Sequence, residues 1–526
     1  MTGDGHVFVV HGRVENLDHD AVVVPTDRAF SVGERWAAAL GRRDDTGAAA
    51  WRRDVGALRP HGWADAGWGR ARESSVLRPR SPVWFVDAAN GRGLAGAADA
   101  VGPMVDRLAA VLADIDHAQL RPGGNRPRPV VAVPTLGVGR GGFGAVRGDV
   151  VDALLATCLA AAHSGGIDVV VAAADAADHA AFQARRRLLG GGHADHLPPG
   201  LLRDAEALAA RVTEGSLALF IGAGVSMSAG LPSWGELIGR LAQDAGVDLG
   251  TVRSPLDQSE LLRRVLGEQR LGERVAELTR GDGRYGLSHA LLASLGCAEA
   301  VTTNYDDLYE RAVHDTGQEH LAVLPFNLTM PGAPWLLKMH GDARFPETIV
   351  LSRSDFVGYD AQSGPMGAVV QSLLMTKHLM AVGASMTDDN FLRIAHEVLL
   401  FRAGSTPLAS DRRRGTALGT VVTFSADEAT RRLWEGRFDY VAVAHDNGAG
   451  PGVRARRLAI FLDAVAMHAT PAQYLADERY AALLSDRERE VAEKARDLRR
   501  RIETLPEAER AAWRRLADAL GEVGAG

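Results

Sequence analysis

The stretch LALFIGAGVSMSAGLPSW, residues 217–234, predicts a strand, a glycine turn and a helix in the central part of this chain. Its first five residues are apolar, which predicts a buried strand, and the turn Gly222-Ala223-Gly224 follows at once. A helix is expected to open at residues 232–234, where the sequence reads PSW. Glycines at a strand-to-helix turn let backbone N–H groups approach a diphosphate, and the start of a helix favours its negative charge. A tight packing turn is the alternative that the glycines alone leave open.

Three more motifs come directly after predicted strands of the same region. TTNYD occupies residues 302–306, MHGD occupies residues 339–342, and VGAS at 382–385 ends a fourth strand. In an open parallel sheet, ligands bind beyond the carboxyl ends of the strands. We therefore expect the glycine turn and these three motifs to lie along one edge of a single sheet and to form one site.

The order GAG-V-S, TTNYD, HG and GAS resembles the sirtuin fold, and more closely its bacterial NAD-consuming branch, over residues 205–470. The resemblance implies a glycine loop that binds the diphosphate of NAD, together with a catalytic asparagine and a catalytic histidine. It places these catalytic roles on Asn304 and His340, with Asp306 beside the nicotinamide. The NAD contacts that it implies are Gly222, Ala223, Gly224 and Ser226 in the loop, with Gly383 and Ser385 at the ribose.

Three departures from the sirtuin deacylase pattern favour NAD cleavage over protein deacylation. Deacylases carry four zinc-binding cysteines between the HG and GAS motifs, whereas residues 341–382 contain none, so we expect no zinc. The deacylase loop continues Pro-Asp-Phe-Arg, where this chain has Pro-Ser-Trp at residues 232–234. Thr303 stands where deacylases commonly carry a glutamine before the asparagine.

Cleavage of the nicotinamide–ribose bond of NAD passes through a cationic, oxocarbenium-like transition state. The amide of Asn304 has both donor and acceptor groups, so it suits the positioning of a water without adding charge. His340 is suited to act as a general base toward water or a ribose hydroxyl. Asp306 is expected either to stabilise the developing positive charge or to cap the helix that begins near Tyr305.

The N-terminal sequence HGRVENLDHDAVVVPTD, residues 11–27, resembles the start of a macro domain, an ADP-ribose-binding α/β fold. The resemblance implies that Asp20 meets the adenine amino group and that the loop at 135–142, with Gly139, holds the diphosphate. The macro asparagines are absent at residues 24–27, which read VPTD, so hydrolysis of ADP-ribose is not expected. An α/β domain used only for packing or oligomerisation is the alternative.

Length and local amino-acid composition divide the 526 residues into three regions. Residues 1–195 alternate Val-rich strands with Ala-rich helices, which predicts a macro-like α/β regulatory domain. Residues 201–470 are predicted to form a sirtuin-like catalytic domain with a Rossmann-type parallel sheet. Residues 471–526 hold 12 acidic and 11 basic residues with apolar positions at helical spacing, which predicts a charged helical tail. The tail is expected to pack on its own domain, with a partner-binding coiled coil as the alternative.

Composition limits the partners and the compartment. The chain has two cysteines, a formal net charge of −7 and no signal-peptide pattern in its first residues, which together predict a cytoplasmic protein that binds no nucleic acid. No apolar run is long enough for a transmembrane helix, so no membrane partner is expected. NAD, as substrate, or ADP-ribose is the predicted small-molecule partner, and a homo-oligomer is the expected assembly.

We therefore expect a sirtuin-like NAD glycohydrolase that releases nicotinamide and ADP-ribose or a cyclic isomer. The resemblance to bacterial families implies a role in anti-phage defence through NAD depletion. Two alternatives stay open at this point: a zinc-free sirtuin-type enzyme that transfers ADP-ribose or an acyl group, and a non-catalytic sensor of NAD or ADP-ribose.

Overall fold

The structure is a computed structural model that describes residues 5–42, 47–89, 98–124, 126–403, 417–424, 428–444 and 450–525. Strands form where apolar, β-branched residues run together between glycine-rich turns. In these ranges the strands are β1 (Val7–His11), β2 (Ala21–Thr26), β3 (Trp68–Arg70), β4 (Val83–Asp87), β5 (Val130–Pro134), β6 (Asp168–Ala173), β7 (Leu217–Ile221), β8 (Glu299–Thr302), β9 (Ala322–Leu324), β10 (Trp335–Lys338), β11 (His378–Val382), β12 (Gly419–Thr423) and β13 (Phe438–Ala442).

The intervening segments are mostly helical, and none of the helices in the described ranges combines the length and apolar character needed to cross a membrane. The helices are α1 (Gly47–Gly56), α2 (Trp63–Ala66), α3 (Val101–His117), α4 (Arg147–Ser164), α5 (Ala176–Leu188), α6 (Pro199–Thr213), α7 (Ala223–Ser226), α8 (Trp234–Ala245), α9 (Pro255–Leu266), α10 (Glu268–Thr279), α11 (Leu287–Ser294), α12 (Leu308–Asp315), α13 (Arg353–Thr376), α14 (Asp389–Ala403), α15 (Glu428–Trp434), α16 (Pro451–Ala469), α17 (Asp486–Glu503) and α18 (Glu507–Glu522).

The chain divides into two compact units, and the first comprises Met1–His196 and Ala466–Gly526. Its six-stranded sheet has the order β1-β6-β5-β2-β4-β3, with parallel pairings except between β3 and β4. The C-terminal segment is an integral part of this unit, because Tyr474, Tyr480 and Leu484 belong to its hydrophobic core. The hydroxyl of Tyr480 also donates a hydrogen bond to the buried carboxylate of Asp178 at 2.6 Å.

The first unit does not bring together the two residues predicted to contact ADP-ribose. Asp20 directly precedes β2, and its carboxylate accepts hydrogen bonds from the backbone N–H groups of Gly123 at 2.7 Å and Val130 at 2.8 Å. Gly139 lies in the loop that follows β5. Since β2 and β5 run parallel, Asp20 is at the amino-terminal edge of the sheet and Gly139 at the carboxyl edge. The carboxylate of Asp20 therefore joins the backbone at Gly123 and Val130, at the edge of the sheet opposite the loop that carries Gly139.

The second unit, Leu197–Val465, contains a seven-stranded sheet with the order β13-β12-β11-β7-β8-β10-β9. All of its pairings are parallel, which confirms the predicted fold class. β7 and β11 are buried along their whole length, as expected for parallel strands with helices on both faces. The strand order reverses at β7, which lies between β8 and β11, and such a reversal creates a crevice where ligands bind.

Candidate active site

The glycine turn after β7 is locked against the turn after β11. The backbone N–H of Gly222 donates to the carbonyl of Val382, and that of Gly224 donates to the carbonyl of Gly383, both at 2.9 Å. A Cβ atom on Gly222 would lie 2.5 Å from the carbonyl oxygen of Gly383, which itself has a φ of +66°. The close approach of two backbones therefore requires these glycines, and the exposed residue of the turn is Ala223.

Asn304 is held in the segment that follows β8. Its backbone N–H donates to Oγ1 of Thr302 at 3.0 Å, and its Nδ2 donates to the carbonyl of Gly222 at 3.2 Å and to Oγ of Ser226 at 3.0 Å. The side chain is buried, yet its Oδ1 atom has no hydrogen-bond partner among the described residues. A buried acceptor without a partner is costly unless a ligand or water fills the position. Asn304 thus offers one oriented acceptor at the strand end.

Ser226 and Asp306 form a buried hydrogen-bonded pair beside Asn304. The hydroxyl of Ser226 donates to Oδ2 of Asp306 at 2.8 Å, and Oδ1 of Asp306 accepts from the backbone N–H of Leu308 at 3.1 Å. Both carboxylate oxygens of Asp306 therefore have partners within the protein. The bond to Leu308, the first residue of α12, connects Asp306 to the start of this helix, whose N-cap residue is Asp307.

His340 follows β10, the strand next to the one that Asn304 follows. Lys338 pairs in register with Thr302, and each of the two predicted catalytic residues stands two positions beyond this pair. Neighbouring strands are about 4.8 Å apart. The imidazole of His340 is buried, with its ring edge-on to Phe356 at 5.2 Å between centroids. The sheet register therefore places Asn304 and His340 just beyond the paired ends of two neighbouring strands, at the same edge of the sheet.

Asp388 approaches the ring of His340 from the loop after β11. Its Oδ2 atom lies 3.0 Å from Nε2 of His340, and its Oδ1 accepts from the backbone N–H of Phe391 at 2.8 Å. Burial alone would raise the pKa of Asp388, but its contacts with His340 and with the backbone N–H groups of Phe391 and Asn390 hold the pKa below its usual value. A carboxylate thus lies within ion-pair distance of the histidine, whose Nε2 forms no well-directed hydrogen bond among the described residues.

Lys338, the last residue of β10, cross-links the loops that follow β8 and β10. Its side chain is fully buried, and its Nζ donates to the carbonyls of Tyr305 at 3.1 Å and Asp306 at 2.6 Å. The same ammonium lies 3.1 Å from Glu310 and 3.0 Å from Asp342. Burial alone would lower the pKa of Lys338, but the surrounding carboxylates raise it above its usual value, so the group is a cation at neutral pH. It immobilises the segment that carries Asn304.

The structure brings part of the predicted site into direct contact. The residues in contact form one connected set: Gly222, Gly224, Ser226, Asn304, Asp306 and Gly383. His340 comes after the end of the adjacent strand, β10. Ser385 is exposed, with its Oγ 2.6 Å from that of Thr387. Asp20 and Gly139 belong to the first unit.

Three residues of this environment were missed by the sequence analysis: Lys338, Asp388 and His289. One signal was available, because Lys338 is one of three lysines in a chain with 59 basic residues. The chain otherwise uses arginine, so a lysine directly before the MHGD motif indicates a position where a compact ammonium is required. Asp388 and His289 carry no comparable signal, since their partners are distant in sequence.

Residues 298–437 of the second unit match the family described as SIR2-like domain. The predicted sirtuin-like resemblance is thereby confirmed for the second unit, whereas the macro-like resemblance of the first stays a prediction. A solved structure of a Sir2 enzyme is similar at 15% identity, covers 50% of this chain and 96% of its own, and has a TM-score of 0.28, too low to carry an argument.

Among curated relatives, the chain is similar to the NAD(+) hydrolase ThsA of Acinetobacter baumannii, with 28% identity over 182 residues. This alignment covers 34% of the chain and 38% of that protein. It is also similar to Defense-associated sirtuin 2 of Bacillus subtilis, with 25% identity over 186 residues, which cover 34% of the chain and 18% of that protein. The chain thus spans well under half the length of the curated relatives it matches.

Proposed function

We propose that the second unit is an NAD glycohydrolase that cleaves the bond between nicotinamide and ribose. The observation that carries this proposal is the buried Oδ1 of Asn304, which has no hydrogen-bond partner among the described residues and whose amide group bonds the glycine turn. An acceptor and a buried histidine at the reversal point of a parallel sheet are suited to hold a water against a bound nucleotide. The relatives named NAD(+) hydrolase support the choice of substrate.

In the proposed reaction, a water attacks C1′ of the ribose and the C1′–N bond breaks, with its electron pair leaving on the nicotinamide nitrogen. Oδ1 of Asn304 accepts one hydrogen bond from the water and fixes its direction. His340 takes the proton that the water loses, and the carboxylate of Asp388, 3.0 Å from its Nε2 atom, stabilises the positive charge that the imidazole then carries. The loop of Gly222 and Ala223 is assigned to the NAD diphosphate, and Ser385 to the ribose.

The same comparison supports a proposal for the wider role. We propose that the protein acts in bacterial defence by depleting NAD, since one relative is named a defence-associated sirtuin. The first unit is proposed to regulate the second, by binding a nucleotide such as ADP-ribose at the glycine loop around Gly139 or by supporting a homo-oligomer. A cytoplasmic location is part of this proposal.

The experiment is to incubate the purified full chain with NAD and to follow nicotinamide and ADP-ribose by liquid chromatography. The wild type is expected to release both, and Asn304→Ala is expected to lower the rate by about 10²–10⁴-fold because the water loses its positioning group. Asn327→Ala is a matched control: this asparagine is exposed and accepts a 3.3 Å hydrogen bond from the backbone of Val323.

The alternatives give different results in the same experiment. NAD that binds by calorimetry without any cleavage would support a sensor. Nicotinamide released together with ADP-ribose attached to a protein or an added acceptor would support a transferase. Equal rates for the wild type and Asn304→Ala would contradict the proposed site.

A further inference from the structure

His289, on α11, is buried behind the site and reaches Asn304 through Ser226. Its Nε2 atom lies 3.2 Å from Oγ of Ser226, and its Nδ1 accepts a 3.2 Å hydrogen bond from the backbone N–H of Gly286. The ring is completely buried. Burial lowers the pKa of His289 from 6.5 to about 4, so the ring is neutral at pH 7. It lies behind Ser226 and makes no contact with His340 in the structure.

The protons available around Ser226 determine which of its neighbours donate a hydrogen bond to its hydroxyl oxygen and which accept one. Because Nδ1 of His289 accepts from the backbone, the single proton of the neutral ring is on Nε2, which must donate to Ser226. The hydroxyl of Ser226 has one proton, and it is donated to Asp306. The third contact of this oxygen must therefore also be a donor, so the Nδ2 end of Asn304 faces Ser226.

The consequence for Asn304 is a single allowed amide orientation. If the amide were rotated by 180°, its oxygen would face the hydroxyl oxygen of Ser226, which has no proton left to donate, and the carbonyl oxygen of Gly222. Facing acceptors repel each other, and the rotated amide oxygen would be buried against two acceptors without a donor of its own. Oδ1 must then point away from Ser226, which agrees with its lack of a partner in the described residues.

We propose that His289 is a positioning residue, which through Ser226 holds the Asn304 carboxamide with its Oδ1 toward the reacting water. This inference rests on the proposed function, because it assigns His289 a part in the same site without contact with NAD. A water held by an oriented acceptor is aligned for attack, whereas a freely rotating amide presents a donor for part of the time. The loss is expected mainly in kcat, since Asn304 is not assigned to NAD binding.

Two substitutions separate this role from a purely structural one. The Nε2 of a glutamine can occupy the position of the histidine Nε2, so His289→Gln keeps the donor to Ser226 and loses the acceptor for Gly286. His289→Asn does the reverse, because its oxygen can occupy the position of Nδ1 while no group reaches Ser226. We expect His289→Asn to lower kcat by about 10–100-fold with a KM changed by less than about threefold, as for lost supporting contacts. His289→Gln is expected to keep at least about a third of the wild-type kcat.

His378→Leu is the matched control in the same unit. His378 is also buried and contacts a hydroxyl, that of Thr420 at 2.8 Å, but it begins β11 at the amino-terminal edge of the sheet. This variant is expected to lose stability and to keep its kcat per folded molecule. A kcat that falls equally in His289→Gln and His289→Asn, or in His378→Leu, would overturn the positioning role.

A second measurement does not depend on turnover. Two-bond ¹H–¹⁵N correlation spectra of the full chain with ¹⁵N-labelled histidine, assigned by difference from His289→Gln, report which ring nitrogen carries the proton. We expect His289 to be protonated on Nε2 at pH 7, and a proton on Nδ1 would overturn the inference. If the wild type releases no nicotinamide, the proposed function fails, whereas the tautomer still decides whether the orientation of Asn304 is fixed as argued.

Discussion

Replacing Lys338 with methionine tests how the loop that carries Asn304 is held. The ammonium is fully buried and has four oxygen partners within 3.1 Å: two backbone carbonyls and the carboxylates of Glu310 and Asp342. Removing one partner of a buried ion pair costs about 3–5 kcal/mol, because the remaining charge is left uncompensated. Asp342 keeps its ion pair with Arg344 at 2.6 Å, so we expect a loss near the lower limit, about 3 kcal/mol.

The assay is equilibrium urea unfolding of the full chain, with hydrogen exchange read on peptides from β8 and β10 to assign the transition to the second unit. A loss of about 3 kcal/mol is a large part of the total stability of a domain, which is about 5–15 kcal/mol. Lys377→Met is the matched control. Its Nζ donates to the carbonyl of Gly215 at 2.7 Å and lies 3.1 Å from Glu299, in a partly exposed position, so its removal should cost about 1 kcal/mol or less.

A charge-balanced variant distinguishes electrostatic from packing effects. Lys338→Met combined with Glu310→Gln removes one cation and one buried carboxylate together, and it should recover more than half of the loss. A loss below about 1 kcal/mol in Lys338→Met, or no recovery in the double variant, would refute the argument that a buried cation stabilises this loop.

Two further predictions concern backbone geometry and pH. Gly383→Ala should destabilise the second unit by more than Gly246→Ala. Both glycines have positive φ, but a Cβ on Gly383 would meet the backbone nitrogen of Val225 at 2.6 Å, whereas Gly246 faces open space. Equal losses of stability in urea unfolding would contradict the interlocked turns. The pKa values of buried His289 and His378 are lowered from 6.5 to about 4, so the unfolded state binds more protons in this range and the unfolding free energy should fall as pH drops from 6.5 to 4. The expected slope is about 1.4 kcal/mol per pH unit for each histidine, and a pH-independent unfolding free energy between these values would contradict it.

Much of the second unit could be predicted from sequence because its information is local. The apolar runs that became β7 and β11 each end directly before a glycine, and the segments after the strands of this sheet carry the polar residues that define the crevice. The three-residue strands β3 and β9 were missed, since such short segments have no readable alternation. Because helices connect these strands in parallel, β7 can pair with a strand on each side, and its neighbours are β8 and β11.

The hydrogen bonds within the site could not be predicted, because they join residues far apart in the chain. Ser226 was assigned to NAD, yet its hydroxyl is shared among Asn304, Asp306 and His289, which lie 63 to 80 positions away. The sequence likewise gave no reason to connect His340 with Asp388. Such contacts depend on how helices pack on the sheet, and no local pattern encodes them.

The first unit shows a different limit of sequence reasoning. A short motif suggested Asp20 as a ligand contact, but a residue before a parallel strand lies at the amino-terminal edge of the sheet, and there its carboxylate accepts two backbone N–H groups. The position of a motif relative to its strand therefore matters as much as its composition. The C-terminal helices were predicted correctly in type, whereas the contribution of Tyr480 to the core came from tertiary packing.

NAD cleavage in this crevice is tested most directly by the initial rates of nicotinamide release, at saturating NAD, for the wild type, Asn304→Ala, His340→Ala and the double variant. Each single substitution should lower the rate by about 10²–10⁴-fold, and the double variant should be no slower than about tenfold below the slower single variant, because both residues act on one water. Losses that multiply would contradict this shared role. A double variant that releases nicotinamide at the wild-type rate would show that the assignment of this crevice to NAD cleavage is wrong.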